Sequence, residues 1–371
     1  MYKFVCSKCG HKEDVSVAKM KCDCGGLWEL DYAPPRFSSE LIDKDNWSLF
    51  RYRKFMPITG ETWREVTLGE GMTPIIPYDK HTLFKMDYFM PTLSFKDRGA
   101  SVLVAFMKSL GIKSAVQDSS GNAGNSVAAY CGRVGIECEI FVPEGTSDKK
   151  TRMIEAHGAK VTIVPGNRDH CADVCRTKAE KEGIYYANHV YHPFFYEGTK
   201  TYIYETFEQL GRIPEHIFVP LGNGTLFIGI MKGLEELLQS EVIDHMPQVI
   251  IVQSERCQPF VKAIAAKRTD IVCEPVEPTL AEGIAIGVPM RSAEILSYIY
   301  KHNVKSVTIP EDKILSAREK IARQGIYCEH TTAAIYAGYE HYCEQYTQPE
   351  EALISMCGAG LKSDHESSVF P

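Results

Sequence analysis

The sequence predicts a mixed α/β protein that carries a small cysteine-rich unit at its N-terminus. Three observations support this prediction. Apolar strands alternate with helix-length segments from residue 113 onward, four cysteines fall within residues 1–32, and short glycine-containing segments follow strands. Strands that alternate with helices of about 10 to 15 residues indicate βαβ units and a parallel sheet. The 371 residues are enough for two to three units of roughly 150 residues each.

The strands and helices of the body follow one another in this order. The pattern predicts strands at 114–117, 138–142, 160–164, 216–220, 249–253 and 352–356. It predicts helices at 123–134, 148–157, 198–210 and 225–239. Residues 33–75 read as a linker whose aromatic and basic side chains pack the N-terminal unit onto the body.

The composition excludes several classes of function. Hydrophobic residues make up 44% and charged residues 24%, as in an average soluble globular protein. The formal net charge of −7 provides no basic surface for nucleic acid. No stretch reaches the ~18 uninterrupted apolar residues of a membrane span. We therefore expect a small-molecule site and no nucleic-acid or membrane partner.

The 13 cysteines predict a reducing, cytoplasmic location. An odd number in a long chain, without a basic and apolar leader segment, is not typical of a secreted disulfide framework. Cys6 and Cys9 form a C-x-x-C pair, and after twelve residues Cys22 and Cys24 form a C-x-C pair. This layout is typical of a zinc ribbon. We predict that the four bind a structural zinc ion, and the alternative is a reduced cysteine knuckle without metal.

Four glycine-containing segments stand at strand-to-helix or loop-to-helix transitions, where open α/β sheets bind ligands. They are PTLSFKDRG (91–99), DSSGNAGNS (118–126), PLGNGTLFIG (220–229) and MCGAGLKSD (356–364). In the third, two glycines free backbone N–H groups to converge on an anion at a helix N-terminus, which suits one phosphate monoester. In the first, Lys96 stands in a first helical turn and could form a Schiff base. A phosphate cradle, this lysine and the Ser/Asn-rich loop together predict one site.

The ordered set SFKDRG, SSGNAG, GNGT and CGAGLK resembles the pyridoxal-phosphate enzymes of fold type II, the tryptophan synthase beta superfamily, and within them the threonine synthase family. The resemblance covers nearly the whole chain. It implies two doubly wound α/β domains with the cofactor in the cleft between them. Residues 1–32 would be the zinc-ribbon-like segment, 113–188 the small domain, and 33–112 with 189–371 the large pyridoxal-phosphate-binding domain. A homodimer or higher homo-oligomer is also implied.

The resemblance implies a role for each site residue. Lys96 would hold pyridoxal phosphate covalently and act as acid and base, Asn122 would bind the cofactor 3′-oxygen, and Cys357 would face the pyridine nitrogen. The cofactor phosphate would be held by Gly222, Asn223, Gly224 and Thr225. The substrate would be bound by Ser119, Ser120, Ala123, Asn188 and Lys200. A neutral thiol supports a protonated pyridinium weakly, which favours loss of a group from Cβ or Cγ over racemisation or transamination.

The segment NHVYHPFFYEGTKT (188–201) departs from the family pattern, which reads approximately NSxNPYRxEGQKT. His189 replaces the serine, and Phe195 stands where the resemblance places a phosphate-binding arginine. Losing a bidentate guanidinium weakens a phosphate site. The side chains that could compensate are those of Lys200, Arg98, His189 and His192.

These features lead to one leading hypothesis and two kinds of alternative. The leading hypothesis is a threonine synthase-like lyase or synthase that performs β- or γ-elimination or replacement on a small amino acid. Conversion of phosphohomoserine to threonine and phosphate is the family reaction, and Phe195 argues against that substrate. The alternatives are a serine/threonine ammonia-lyase, or a β-replacement synthase on phosphoserine or an activated serine, of the cysteate or diaminopropionate synthase type. From a different class, a catalytically dead binding module would take up no cofactor.

Overall fold

The computed structural model describes residues 2–16, 19–273 and 276–362, and these fall into two units. The first unit comprises the residues up to 72 together with 96–199, and the second comprises 73–95 together with the residues from 200 onward. Ser363 and Asp364 of the fourth glycine-containing segment, and the end of the predicted large domain, lie outside the described residues. The domain boundaries given above stay a prediction.

The described residues contain thirteen strands and twelve α-helices. The strands are β1 (Lys3–Cys6), β2 (Lys12–Glu13), β3 (Trp28–Asp31), β4 (Ile75–Pro77), β5 (Thr82–Lys85), β6 (Ser114–Gln117), β7 (Glu137–Pro143), β8 (Lys160–Val164), β9 (Tyr185–Tyr186), β10 (His216–Pro220), β11 (Gln248–Ser254), β12 (Lys305–Ile309) and β13 (Ala352–Ser355). The helices are α1 (Trp63–Val66), α2 (Lys96–Ser109), α3 (Asn122–Arg133), α4 (Asp148–Ala156), α5 (Arg168–Glu182), α6 (Pro193–Thr199), α7 (Thr201–Leu210), α8 (Thr225–Gln239), α9 (Pro259–Ala265), α10 (Ser292–Lys301), α11 (Glu311–Ala322) and α12 (His330–Gln345). None of these helices is both long and apolar enough to cross a bilayer.

Most of the strands and helices predicted for the body are confirmed, and one helix was predicted with the wrong bounds. Strands 114–117, 160–164 and 216–220 and helix 225–239 have the predicted bounds. The helix predicted at 198–210 is two helices, α6 and α7, that meet at Lys200. Every residue of α6 is buried, and a helix buried on all faces shows no amphipathic period in its sequence.

The first unit is built around a four-stranded parallel sheet in the order β8-β7-β6-β9. Val116, Phe141 and Tyr186 on one face of this sheet form a hydrophobic cluster with buried residues of α5. Leu27 belongs to the same cluster, so the small antiparallel sheet β2-β1-β3 at the N-terminus packs onto this unit. The parallel strands direct their carboxyl ends to one edge, where the glycine-containing loop at 118–121 lies.

The second unit contains a six-stranded sheet in the order β12-β11-β10-β13-β5-β4, in which only the edge strand β4 is antiparallel. A fully buried ion pair links its strand β5 to helix α7, because Lys85 Nζ lies 2.5 Å from Glu205 Oε1. The same ammonium donates to Gln209 Oε1 at 2.9 Å and to the Thr73 carbonyl oxygen at 2.7 Å. These bonds compensate the cost of burying the charge.

The buried carboxyl group of Glu70 is expected to make the stability of the first unit depend on pH. Its carboxylate is buried and accepts hydrogen bonds from the Leu68 N–H at 2.8 Å, the Tyr130 hydroxyl at 3.0 Å and the Thr67 hydroxyl at 3.0 Å. Burial outweighs these bonds and raises the pKa of Glu70 to about 7. A carboxyl whose pKa is raised by folding contributes stability that is full below its ordinary pKa and is lost as pH rises through the folded value.

We therefore expect Glu70→Gln to flatten the dependence of stability on pH. Between about pH 5 and about pH 8 the wild type should lose on the order of 2 to 3 kcal/mol relative to this variant. Urea unfolding at several pH values measures the difference. The control is Glu65→Gln, because Glu65 is exposed in α1. Parallel pH curves for wild type and Glu70→Gln would contradict the assignment.

Candidate active site

The loop between β6 and α3 holds four of the predicted site residues in the first unit. Ser119 and Ser120 lie in the loop itself, while Asn122 and Ala123 are the first two residues of α3. A Cβ atom at Gly124 would lie 1.8 Å from the Ser119 carbonyl oxygen, so only glycine lets the loop fold back onto the helix. Two serines thereby precede the N-terminal end of α3, and the N-terminus of a helix suits an anion such as a carboxylate.

Lys96 lies in the first turn of a helix, as predicted, and is the first residue of α2. The packing of α6 fixes its surroundings. Its Nζ lies 5.8 Å from the centroid of the Phe195 ring. That ring covers Gly99, one turn further along α2, where a Cβ atom would lie 2.3 Å from it. A Cβ atom at Gly198 would likewise lie 1.9 Å from the Arg98 carbonyl oxygen. Close packing through two glycines therefore positions the helical turn that carries Lys96.

The side-chain amide of Asn188 forms four hydrogen bonds to residues of the first unit. Its Nδ2 donates to Asp118 Oδ1 at 2.8 Å and to the Tyr186 hydroxyl at 3.0 Å. Its Oδ1 accepts from the N–H groups of Val190 at 2.8 Å and Tyr191 at 3.2 Å. The side chain thus ties the segment after β9 to the loop after β6.

The two histidines that could replace the missing arginine do not supply a positive charge. His189 is buried, and burial, with the nearby charges of Lys96 and Arg168, holds its pKa well below the usual range. His192 Nδ1 accepts from the Phe194 N–H at 3.3 Å, so its Nε2 carries the proton toward the Tyr185 hydroxyl at 2.6 Å. Both rings are therefore neutral parts of a largely aromatic wall.

Gln117 and Asn125 are buried polar residues of this unit that sequence reasoning missed. The amide of Gln117 and Oδ1 of Asn125 have no hydrogen-bond partner in the part of the chain that the structure describes, and the same holds for His189 Nδ1. The available signal was weak: Gln117 is a polar residue at the end of an apolar strand, and Asn125 lies inside the second glycine-containing segment.

In the second unit, the turn between β10 and α8 has the form of a phosphate cradle. Gly224 adopts φ +78°, and a Cβ atom there would lie 2.5 Å from Ile295 Cδ1. A Cβ atom at Gly222 would lie 2.9 Å from the Gly283 carbonyl oxygen. Both positions therefore require glycine. Thr225 is buried and adds a hydroxyl at the start of the 15-residue helix α8, and the N-terminus of a helix is a typical site for a phosphate. The turn, which also contains Asn223, fits the phosphate of pyridoxal phosphate.

Cys357 follows β13 and is held by the segment that precedes α2. The Phe95 N–H donates to the Cys357 carbonyl oxygen at 2.9 Å, and Ser94 pairs with Gly358 in an isolated bridge. The thiol is buried and lies 3.4 Å from the Ser355 carbonyl oxygen. A small neutral side chain at this position fits the chemistry expected beside a pyridine nitrogen.

Lys200 is buried in the second unit and has an acidic partner there. Its Nζ lies 3.0 Å from Glu236 Oε1, and the Tyr204 hydroxyl also donates to the Glu236 carboxylate. The pair connects the start of α7 to α8. Its positive charge is therefore compensated within this unit.

The four N-terminal cysteines form a cluster whose sulfur atoms all lie within 4.8 Å of one another. The Sγ atoms of Cys6 and Cys24 are 3.4 Å apart, and those of Cys9 and Cys22 are 3.7 Å apart. Tetrahedral zinc with Zn–S bonds of about 2.3 Å separates its sulfurs by about 3.8 Å. The donor set and its size therefore fit a zinc ion with four thiolate ligands.

Comparison with known proteins agrees with this geometry. Residues 66–358 match the family model described as pyridoxal-phosphate dependent enzyme. The chain is 32% identical to a threonine synthase of Methanocaldococcus jannaschii over 96% of this chain and 92% of that one, and 32% identical to a threonine synthase of Methanosarcina acetivorans over 100% and 94%. Threonine deaminase isoform 2 from Solanum lycopersicum superimposes with a TM-score of 0.70 at 21% identity, over 87% of this chain and 91% of that one. The resemblance to fold type II is thereby confirmed, and the chain belongs to the family of pyridoxal-phosphate dependent enzymes.

Proposed function

We propose that the protein is a threonine synthase-like enzyme that eliminates or replaces a group at Cβ or Cγ of a small amino acid. The observation that best supports the proposal is the glycine turn 222–224 at the start of α8, because two close approaches require glycine there and a glycine turn that leads into a helix is a typical phosphate site. Bound pyridoxal phosphate supplies an electron sink that stabilises negative charge at the substrate Cα.

We propose the following roles for the site residues of the first unit. Lys96 would hold the cofactor covalently and would carry protons to and from the substrate Cα and Cβ. Asn122 would donate to the cofactor 3′-oxygen. The substrate carboxylate is received by the start of α3, with Ser119, Ser120 and Ala123. The helix dipole and the N–H groups that lack intrahelical partners stabilise that negative charge.

In the second unit, the segment 222–225 would hold the cofactor phosphate, and Cys357 would contact the pyridine nitrogen. A thiol is a weak donor compared with a carboxylic acid. It therefore leaves the pyridine ring less able to store charge, which supports expulsion of a leaving group over racemisation or transamination.

Asn188 and Lys200 were predicted to bind substrate, and we now propose supporting roles for them. The four hydrogen bonds of the Asn188 amide order the loop next to the carboxylate site. The ion pair of Lys200 with Glu236 joins two helices of the second unit. Each side chain has hydrogen-bond partners in its own unit, which supports a positioning role for both.

The proposal predicts a coloured protein that releases product from amino acids. We expect purified protein to take up one cofactor per chain, with an absorbance band near the visible edge. We expect at least one of phosphohomoserine, serine, threonine and phosphoserine to yield a 2-oxoacid, phosphate or a new amino acid. These substrates separate the threonine synthase, ammonia-lyase and β-replacement alternatives. A colourless protein that takes up no added cofactor would instead favour the alternative hypothesis, a binding module without catalytic activity.

We further propose that the cysteine cluster binds structural zinc. Metal analysis after dialysis should find about one zinc per chain, because four thiolates leave no position through which the ion is easily lost. We expect Cys9→Ser to lose most of the zinc and to weaken the binding free energy by several kcal/mol of the ~10 to 16 typical of such sites. Cys273→Ser is the control, since Cys273 is exposed and outside the cluster. Wild-type protein without stoichiometric zinc would refute this site.

A cytoplasmic location and a homo-oligomeric state belong to the same proposal. None of the thirteen cysteines is in a disulfide in the described residues, which supports a reducing compartment. The oligomer rests on the family resemblance, and sedimentation of the holoenzyme tests it.

A further inference from the structure

Three buried polar side chains of the first unit face no hydrogen-bond partner among the described residues. They are Gln117, through both atoms of its amide, Asn125, through Oδ1, and His189, through Nδ1. Their exposed fractions are 0%, 5% and 6%. A buried polar atom without a partner costs about 1 to 3 kcal/mol, and a native structure that retains several requires an explanation such as a ligand.

Hydrogen bonds place the segments that carry Gln117 and His189 side by side. Val116 and Tyr186 are paired neighbours in β6 and β9, and both point into the hydrophobic cluster on one face. Because side chains alternate along a strand, Gln117 points to the opposite face. The Ala187 N–H donates to the Val116 carbonyl oxygen at 2.9 Å, and Asn188 Nδ2 donates to Asp118 Oδ1 at 2.8 Å. The segment that carries His189 therefore lies beside the segment that carries Gln117.

Asn125 and Lys96 belong to the same region of the unit. Asn125 is in the first turn of α3, which follows Gln117 after a four-residue loop. The rings of His189 and Phe195 lie 5.7 Å apart, and Lys96 Nζ lies 5.8 Å from the same Phe195 ring. The hydroxyl of Ser126, the residue after Asn125, donates to the carboxylate of Asp97, the residue after Lys96. His189 and Asn125 therefore lie in the surroundings of the lysine that the proposed function makes catalytic, and Gln117 lies on the segment beside His189.

The polar atoms of this group are all uncharged. Gln117 and Asn125 are amides, His189 is a neutral imidazole, and Phe195 adds only an apolar ring. Burying a phosphate dianion against such a wall would carry a desolvation penalty of several kcal/mol without a bidentate partner to offset it. Arg168, the cation at the start of α5, is exposed to solvent, where water screens its attraction. A hydroxyl or carboxamide, by contrast, donates and accepts hydrogen bonds as these three side chains do.

We propose that Gln117, Asn125 and His189 form the pocket for the side-chain end of the substrate, and that this end carries an uncharged hydrogen-bonding group, a hydroxyl or a carboxamide, rather than a phosphate monoester. The inference rests on the proposed function, and it identifies the substrate class of that site. Gln117 offers both a donor and an acceptor to such a group, Asn125 offers an acceptor, and His189 offers whichever its tautomer provides.

Two matched pairs of amino acids test the inference on the holoenzyme. L-Homoserine is compared with O-phospho-L-homoserine, and L-serine with O-phospho-L-serine, by titrating the change in cofactor absorbance. We expect the unphosphorylated member of each pair to bind at least about tenfold more tightly. It keeps its hydrogen bonds to the pocket, and it brings no phosphate charge into a buried site. Tighter binding of the phosphorylated member of either pair would overturn the inference.

Variants separate recognition from a purely structural role. Gln117→Leu and His189→Leu should each weaken L-serine binding about tenfold and leave binding of L-alanine, which lacks the hydroxyl, unchanged. His189→Asn, which keeps a polar atom near the position of Nδ1, should restore most of the loss. Equal loss of serine and alanine binding would assign the residues to structure alone. Cofactor uptake is measured first: its absence refutes the proposed function, and calorimetric titration with the same amino acids then decides the inference by itself.

Discussion

Replacing Lys96 with alanine is expected to lower turnover of the preferred amino acid by on the order of a thousandfold or more. The variant loses both the amine that would bind the cofactor and the group that would move protons at Cα and Cβ. Because the glycine turn before α8 is unchanged, we expect the cofactor still to bind through its phosphate, but without the absorbance band of the lysine-bound form. Steady-state kinetics and absorbance of the reconstituted protein measure both effects.

The matched control for this variant lies on the same helix. Lys108 is in the last turn of α2, and its Nζ lies 3.4 Å from the Val134 carbonyl oxygen and 3.3 Å from the Glu65 carboxylate. Lys108→Ala removes the same side chain from the far end of the helix, so we expect turnover within about a factor of two of wild type, as for most surface substitutions. Comparable losses in both variants would mean that α2 tolerates no truncation and that Lys96 has no special chemical role.

The residues that could be predicted from the sequence are those whose role is local. The turn at 222–224 is an example, since two glycines between a strand and a helix indicate an anion site before any tertiary contact is known. The bounds of helix α8 followed from its own apolar period. Local pattern therefore predicted many of the strands and helices in their order, the start of α8, and the place of Lys96 in a first helical turn.

The remaining features depend on contacts between distant segments. The partners of the Asn188 amide include Asp118, 70 residues earlier, and no local pattern brings them together. Gln117 looks like an ordinary polar residue at a strand end, and only the burial of its amide without a partner makes it a candidate for binding. The sequence showed that Phe195 replaces the arginine of the family pattern. The three-dimensional packing shows in addition that the Phe195 ring packs closely over Gly99.

That packing leads to the second large effect. Gly198→Ala is expected to lower the free energy of unfolding by on the order of 4 kcal/mol, because the new Cβ atom would lie 1.9 Å from the Arg98 carbonyl oxygen and 2.8 Å from the Gly99 Cα atom. These neighbours are backbone atoms and cannot rotate away. To fit the methyl group, α6 must move off α2, and the Phe195 ring that contacts both Lys96 and His189 must move with it.

A glycine with open space around it separates this clash from ordinary backbone strain. Gly183 ends α5 at φ +64°, and an added Cβ atom would meet nothing within 4 Å. Gly183→Ala should therefore cost only about 1 kcal/mol, the price of a left-handed alanine. Urea unfolding of the three proteins gives the comparison. Because α6 also positions Lys96, Gly198→Ala should lower turnover even at temperatures where it remains folded, whereas Gly183→Ala should not. Equal stabilities of the two variants, or full activity in folded Gly198→Ala, would show that the contact between α2 and α6 does not fix the position of Lys96.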